Sequence, residues 1–465
     1  MHVSVNIILS NMKIKIALVF CVFSIFYFLH FRFGYLSPIS TEQVKYVDNV
    51  SSGIVLSQIV HSVQRGFVSE PGLYTQLKGR RTKDLTYDNV FVNKDKYSVS
   101  DSLNSNNFKN YYSSYILHGR FLSFVGLKLF KNLNLEPNKF INDKELIKER
   151  YDFINSIYNI NVLINILPLI LILLYILLHA SIINAIIYTL FLFLSPQVNI
   201  VVFSLYWSFG TMVLPFAMNL FLQKYRVNVY TVLVLNLIVF FVRFLCCFEY
   251  IIPVVGSALI PFIKISKIKQ LFTEKKIRMV LFVGITSIVS FVFAIFVHIQ
   301  NIVLKSANVS NISQASNIII GRIFGNVKGN ATSNFSLDYK EFLVDYLSNS
   351  RINDDTFFRK VFKLIYYYSL DISTTFADGN IVFFIPIIFF FIVSYKLLKF
   401  SYNSILNIQL VFAVFFTLIW VLIFLDHSIN HSDFTISCFY ISFIYYFSLL
   451  FESQYSNSII KNLFK

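Results

Sequence analysis

The chain has 465 residues, of which 56 % are hydrophobic, 18 % aromatic and only 14 % charged. Soluble domains carry about 25 % charged residues, so this composition excludes a soluble globular enzyme and a disordered chain, and leaves a polytopic membrane protein. Forty Lys and Arg against 24 Asp and Glu give a net charge of +16; no nucleic-acid motif interleaves with it, and such an excess belongs at the cytoplasmic ends of membrane spans.

In chain order, residues 1–33 hold the first apolar run, Ile16–Phe31, behind Lys13 and Lys15. No small-residue cleavage site follows, and the chain continues as His30-Phe31-Arg32-Phe33, so the run reads as an uncleaved signal anchor. Residues 34–159 are a polar stretch. Asp48, within Lys45-Tyr46-Val47-Asp48-Asn49, offers a carboxylate that can take a proton from an acceptor hydroxyl. Further on, Tyr111-Tyr112-Ser113-Ser114-Tyr115-Ile116-Leu117-His118-Gly119-Arg120 combines rings with a guanidinium. Tyr115, His118 and Arg120 suit a stacked sugar and a phosphate fork; they equally suit an interfacial aromatic belt.

Residues 160–299 read as a transmembrane bundle of about six helices, near Ile160–Leu178, Ile182–Val202, Leu205–Leu222, Val229–Leu245, Tyr250–Ile263 and Met279–Ile299. Several fall short of the ~20 residues of a full crossing, and Val229–Ile263 is open to being one bent element. Arg243 and Glu249 interrupt that apolar region. Ionisable groups at membrane depth are costly. The two either pin a turn at Cys246-Cys247 as an ion pair or present a carboxylate to an outer cavity. With Cys21 and Cys438 these are the four cysteines, and none has metal-site spacing.

Residues 300–380 form a second polar stretch with amphipathic pieces at Tyr339–Leu347 and Phe357–Tyr368. Residues 381–465 hold three more spans, Ile381–Tyr395, Ile405–Leu425 and Phe434–Phe451, and a short tail. Between the last two, His427 and His431 share a face if the segment is helical. Lacking a third ligand, they suit a phosphate or a sugar hydroxyl better than a metal; a wet turn with no role is the other reading.

The expected architecture is therefore all-α and polytopic, with about ten transmembrane helices. With a cytoplasmic N-terminus, the connections Gln223–Asn228, Lys264–Arg278 and Lys396–Asn403 and the tail all lie inside, as does the turn near His179, which has no Lys or Arg. They carry twelve Lys and Arg, whereas the short outer connection Asp426–Asp433 carries none. This is the positive-inside pattern, and it puts both long polar stretches on the non-cytoplasmic face. Phosphate-cradling glycine motifs, G-x-S-x-G and H-E-x-x-H are absent.

The layout resembles polytopic GT-C-type glycosyltransferases, in which a first span leads into a large outer loop with an essential acidic residue. Local patterns are also similar to an uncharacterised bacterial membrane family associated with surface polysaccharide. They are Asp48 with Gly66-Phe67-Val68-Ser69-Glu70-Pro71-Gly72, the Tyr112–Arg120 segment, Leu205-Tyr206-Trp207-Ser208, Phe248-Glu249-Tyr250 and His427-Ser428-Ile429-Asn430-His431. The resemblance implies a GT-C-like fold in a bacterial inner membrane. It implies transfer of a sugar from a polyprenyl-phosphate donor to a surface glycan or lipid-linked acceptor on the non-cytoplasmic face. Asp48 is then the base, while Arg120, His118, Tyr115, Trp207, Glu249, Arg243, His427 and His431 contact substrate. No metal ligand set is implied, and a divalent cation stays open as a cofactor. The competing readings are a surface-polysaccharide polymerase and a transporter or flippase.

Overall fold

The computed structural model describes residues 2–33, 73–77, 108–112, 116–142, 144–205, 208–246, 250–263, 274–305, 311–324, 408–413, 415–416 and 441–449, with isolated positions between 55 and 66 and residue 419. Helices α1 (His2–Phe33), α2 (Ile116–Lys131), α3 (Pro137–Asn142), α4 (Ile147–His179), α5 (Ile182–Phe193), α6 (Pro196–Phe203) and α7 (Phe209–Lys224) come first. They are followed by α8 (Val229–Cys246), α9 (Ile251–Leu259, extended by a 3-10 turn), α10 (Glu274–Lys305) and α11 (Ile312–Phe324). Residues 408–413 and 441–449 are also helical. Besides turns, the described residues include one short antiparallel pair, β1 (Leu73–Leu77) against β2 (Phe108–Tyr112), with Leu73 opposite Tyr112 and Leu77 opposite Phe108. The composition contains no clear period-2 signal for this pair.

Three of these helices are long and apolar enough to cross a membrane: Lys148–His179, Val229–Cys246 and Arg278–Leu304. Ala17–Phe33, Ile182–Phe193 and Ile251–Phe262 are apolar but shorter. Beside a buried apolar core, many large apolar residues are turned outward. Along α10, Leu281, Ile285, Ile288, Val292 and Phe296 are exposed at helical spacing, while Asn161, Asn165, Asn219 and Asn236 are buried inside. This is the arrangement expected in lipid, where apolar surface has nothing to gain by hiding and polar groups must find partners within the protein.

The apolar run from Ile182 to Val202, expected as one span, is two helices. Pro196 has no N–H to continue α5 and sits instead at the first position of α6, where that donor is not needed. Ser195 caps the new helix, its Oγ accepting from Val198 N at 3.3 Å. Val229–Ile263 is also two helices, α8 and α9, with Tyr250 in a left-handed conformation (φ 60°) at the start of the second. The apolar segment expected from Ile160 is the later part of α4, which is helical from Ile147.

Helix α4 packs against α1, α2, α5, α6 and α7; α7 in turn packs on α8 and α9, and α10 covers α8 and carries α11. Amides hold the layers together. Asn219 on α7 and Asn236 on α8 exchange two side-chain hydrogen bonds of 2.9 Å, and Asn219 Nδ2 also donates to the Ala258 carbonyl of α9 at 3.0 Å. From α10, Ser290 Oγ donates to Leu237 O at 2.9 Å and His298 Nε2 donates to Phe244 O at 3.0 Å.

Candidate functional site

One end of the bundle holds a cluster of polar groups around the α6–α7 break. Helix α4 supplies two Asn pairs, Asn155 with Asn159 and Asn161 with Asn165. Each is spaced i,i+4 and so lies on one face; at about 100° per residue the two faces are roughly a third of a turn apart. The second pair holds the break between α6 and α7. Asn161 Nδ2 donates to Phe203 O and Ser204 O at 3.2 and 2.9 Å. Asn165 Nδ2 donates to Val202 O at 2.9 Å, and its Oδ1 accepts from Gly210 N at 2.9 Å. Backbone groups released where a helix stops at membrane depth need such partners.

Within that break lies the Leu205-Tyr206-Trp207-Ser208 pattern. Ser208 has φ 49°, in the left-handed region, and its Oγ is buried with no hydrogen-bond partner among the described residues. One turn on, Thr211 Oγ1 donates to Ser208 O at 2.8 Å and accepts from Arg243 Nη1 at 3.4 Å. Arg243 is fully buried near the end of α8. The fold thus joins two sequence patterns 32 residues apart.

The first Asn pair faces α1. Arg32 Nη2 donates to Asn155 Oδ1 at 2.8 Å and Arg32 Nε donates to Asn159 Oδ1. Its guanidinium also lies 6.0 Å from the Phe203 ring centroid, and Phe203 stacks on Tyr158 at 4.7 Å. Arg32, Asn161, Asn165, Thr211 and Arg243 thus all gather around the α6–α7 break. At the other end of the bundle, His179 at the close of α4 lies 5.8 Å from the ring of Tyr225, just after α7.

Of the expected site residues, Arg243 is therefore central and buried. Arg120 is exposed one turn into α2, which packs on α4 and α8; it makes no side-chain hydrogen bond or ion pair with the described residues. His118 is also on α2. The segment Tyr111–Arg120 is the passage from β2 to α2. Asp48, Tyr115, Trp207, Glu249, His427 and His431 lie outside the described residues, as do Tyr339–Leu347 and Phe357–Tyr368. Among the described residues no three His, Cys, Asp or Glu side chains come together in a way that would hold a metal. Arg32 and the four asparagines of α4 are new from the structure. The signal for Asn161 and Asn165 was present, as amides at spacing four inside the apolar run from Ile160, while Asn155 and Asn159 repeat that spacing just before it.

No family model matches the chain, and neither does any curated protein or solved structure.

Proposed function

We propose that this chain is a membrane glycosyltransferase of GT-C-like layout, moving a sugar from a polyprenyl-phosphate donor to a surface glycan or lipid-linked acceptor at the non-cytoplasmic face. The observation that supports this reading most is the polar end of the bundle. There Arg243, Thr211 and Ser208 lie together in an otherwise apolar body, beside the helix break that carries the Trp207 pattern. A lipid-linked donor requires cationic groups at headgroup level and apolar walls below them, and the exposed faces of α1, α4 and α10 are apolar.

On this reading Asp48 accepts the proton of the acceptor hydroxyl, and that oxygen bonds to the anomeric carbon. The bond from carbon to phosphate oxygen breaks, and the lipid phosphate leaves with the negative charge. Stabilising that charge is the largest catalytic effect available. Arg243 and Arg120 serve it, with His118, His427 and His431 at the phosphate or sugar and Tyr115, Trp207 and Glu249 around the ring.

The test is transfer of labelled sugar from a polyprenyl-phosphate sugar by purified protein in lipid nanodiscs. Wild-type protein is expected to turn over, and Asp48→Asn to accumulate normally in the membrane with transfer abolished. Near-normal turnover by Asp48→Asn removes that residue from the mechanism. Vesicle uptake of the donor without any transfer means that the protein is a transporter.

A further inference from the structure

Arg32 is about nine-tenths buried as a residue, and the hydrogen-bond acceptors its guanidinium meets among the described residues are both neutral. Its Nη2 and Nε donate to the amide oxygens of Asn155 and Asn159, and it also lies against the rings of Phe33 and Phe203. Asp152, the acidic residue one turn before Asn155, is exposed and makes no contact with it. Desolvating a cation without a counter-charge is unfavourable in any setting, and here the partners add to the imbalance. Arginine has only donors, so each asparagine must turn its oxygen toward Arg32 and point its Nδ2 away. Neither Nδ2 has a hydrogen bond with the described residues. Among the described residues, then, two half-exposed asparagine NH2 groups and the Nη1 hydrogens lie around one positive charge with no acceptor for them.

Depth in the membrane narrows what completes the group. From Asn159 to His179 at the opposite end of α4, about twenty residues rise about 30 Å at 1.5 Å each, the thickness of the hydrocarbon layer. With His179 at one headgroup level, Arg32 and its asparagines lie at the other. The anions held there by a bilayer are lipid phosphates. Tetrahedral oxyanions also match the planar fork of arginine better than a point charge does.

We infer that Arg32, Asn155 and Asn159 form a binding site for the phosphate group of a lipid at the end of the bundle where α1 meets α4. The site deepens the transferase reading and rests on it only for a polyprenyl source. Binding and turnover are measured separately, so either can fail alone.

The experiment follows the thermal unfolding midpoint of the full chain in neutral detergent. Polyprenyl monophosphate, phosphatidylglycerol and inorganic phosphate are added in turn, with chloride at matched ionic strength as the control. A phosphate lipid is expected to raise the midpoint, and whichever lipid acts at lower concentration is the source. Asn155→Asp is the decisive variant. It keeps an oxygen for Arg32 Nη2, replaces the NH2 donor with the missing negative charge, and so occupies the anion position from within. Its midpoint without lipid should equal or exceed that of the wild type, while affinity for the lipid falls more than about tenfold. Arg32→Gln should lose the response as well; if it does not fold, Asn155→Asp still decides. A wild type indifferent to both lipids, or a response kept in Asn155→Asp, overturns the site.

Discussion

Buried amides carry the specificity of this protein at the level of single residues. Asn219 and Asn236 satisfy each other and two backbone carbonyls, so removing one strands the other. Asn219→Leu should lower stability by about 2 kcal/mol, made up of one lost pair and one unsatisfied partner. Adding Asn236→Leu should return part of that loss, because no orphan then remains. Chemical unfolding in detergent measures both, and a double variant worse than the sum of its singles contradicts the pairing. On α4, Asn161 and Asn165 act in the same way on the backbone, and Asn155 and Asn159 on Arg32. Their spacing was legible in the chain, but which carbonyls and which arginine they meet was not. Asn161 finds its partners 42 and 43 residues away.

Among the helices, closeness of approach decides what each position tolerates. At Gly210 an added Cβ would lie 2.6 Å from the Ile164 carbonyl oxygen and 3.0 Å from Asn165 Cα, both backbone atoms that cannot swing aside. Gly210→Ala should therefore separate α4 from α7 and cost about 3 kcal/mol or more. Gly284, in the middle of α10, has nothing within 4 Å of the corresponding position. Gly284→Ala should be neutral or stabilise by up to about 1 kcal/mol through helix propensity. Comparing the two unfolding midpoints checks the arrangement, and equal effects would contradict it. The run from Ile182 to Val202 teaches a related lesson. Its hydropathy is uninterrupted, but Ser195 and Pro196 end one helix and begin another. A hydropathy count cannot register that, although the Ser-Pro pair was in plain view.

On the scale of the whole molecule, the two ends of the bundle differ in chemistry. One holds Arg32, the α6–α7 break and Arg243; the other holds His179 and the turn after α7, with Lys224 and Arg226 exposed. By the positive-inside pattern the second end is expected to face the cytoplasm. In a cysteine-free background, Asp152→Cys should then react with an impermeant maleimide in intact cells, and Arg226→Cys only after permeabilisation. Labelling of both from the same side would end the outer-face chemistry proposed for Asp48.

Composition and periodicity alone were enough to establish the membrane class and the apolar segments that became α4, α8 and α10. Burial in lipid demands long apolar helices whatever they pack against, so that demand is written locally along the chain. Folding was needed to bring Arg243 to Thr211 and Arg32 to Asn155 and Asn159. These contacts span 32, 123 and 127 residues, and the apolar surfaces that meet between those residues are too alike in hydropathy to announce their partners. Small residues and amides choose the neighbours instead, and their choice exists only once the helices are side by side.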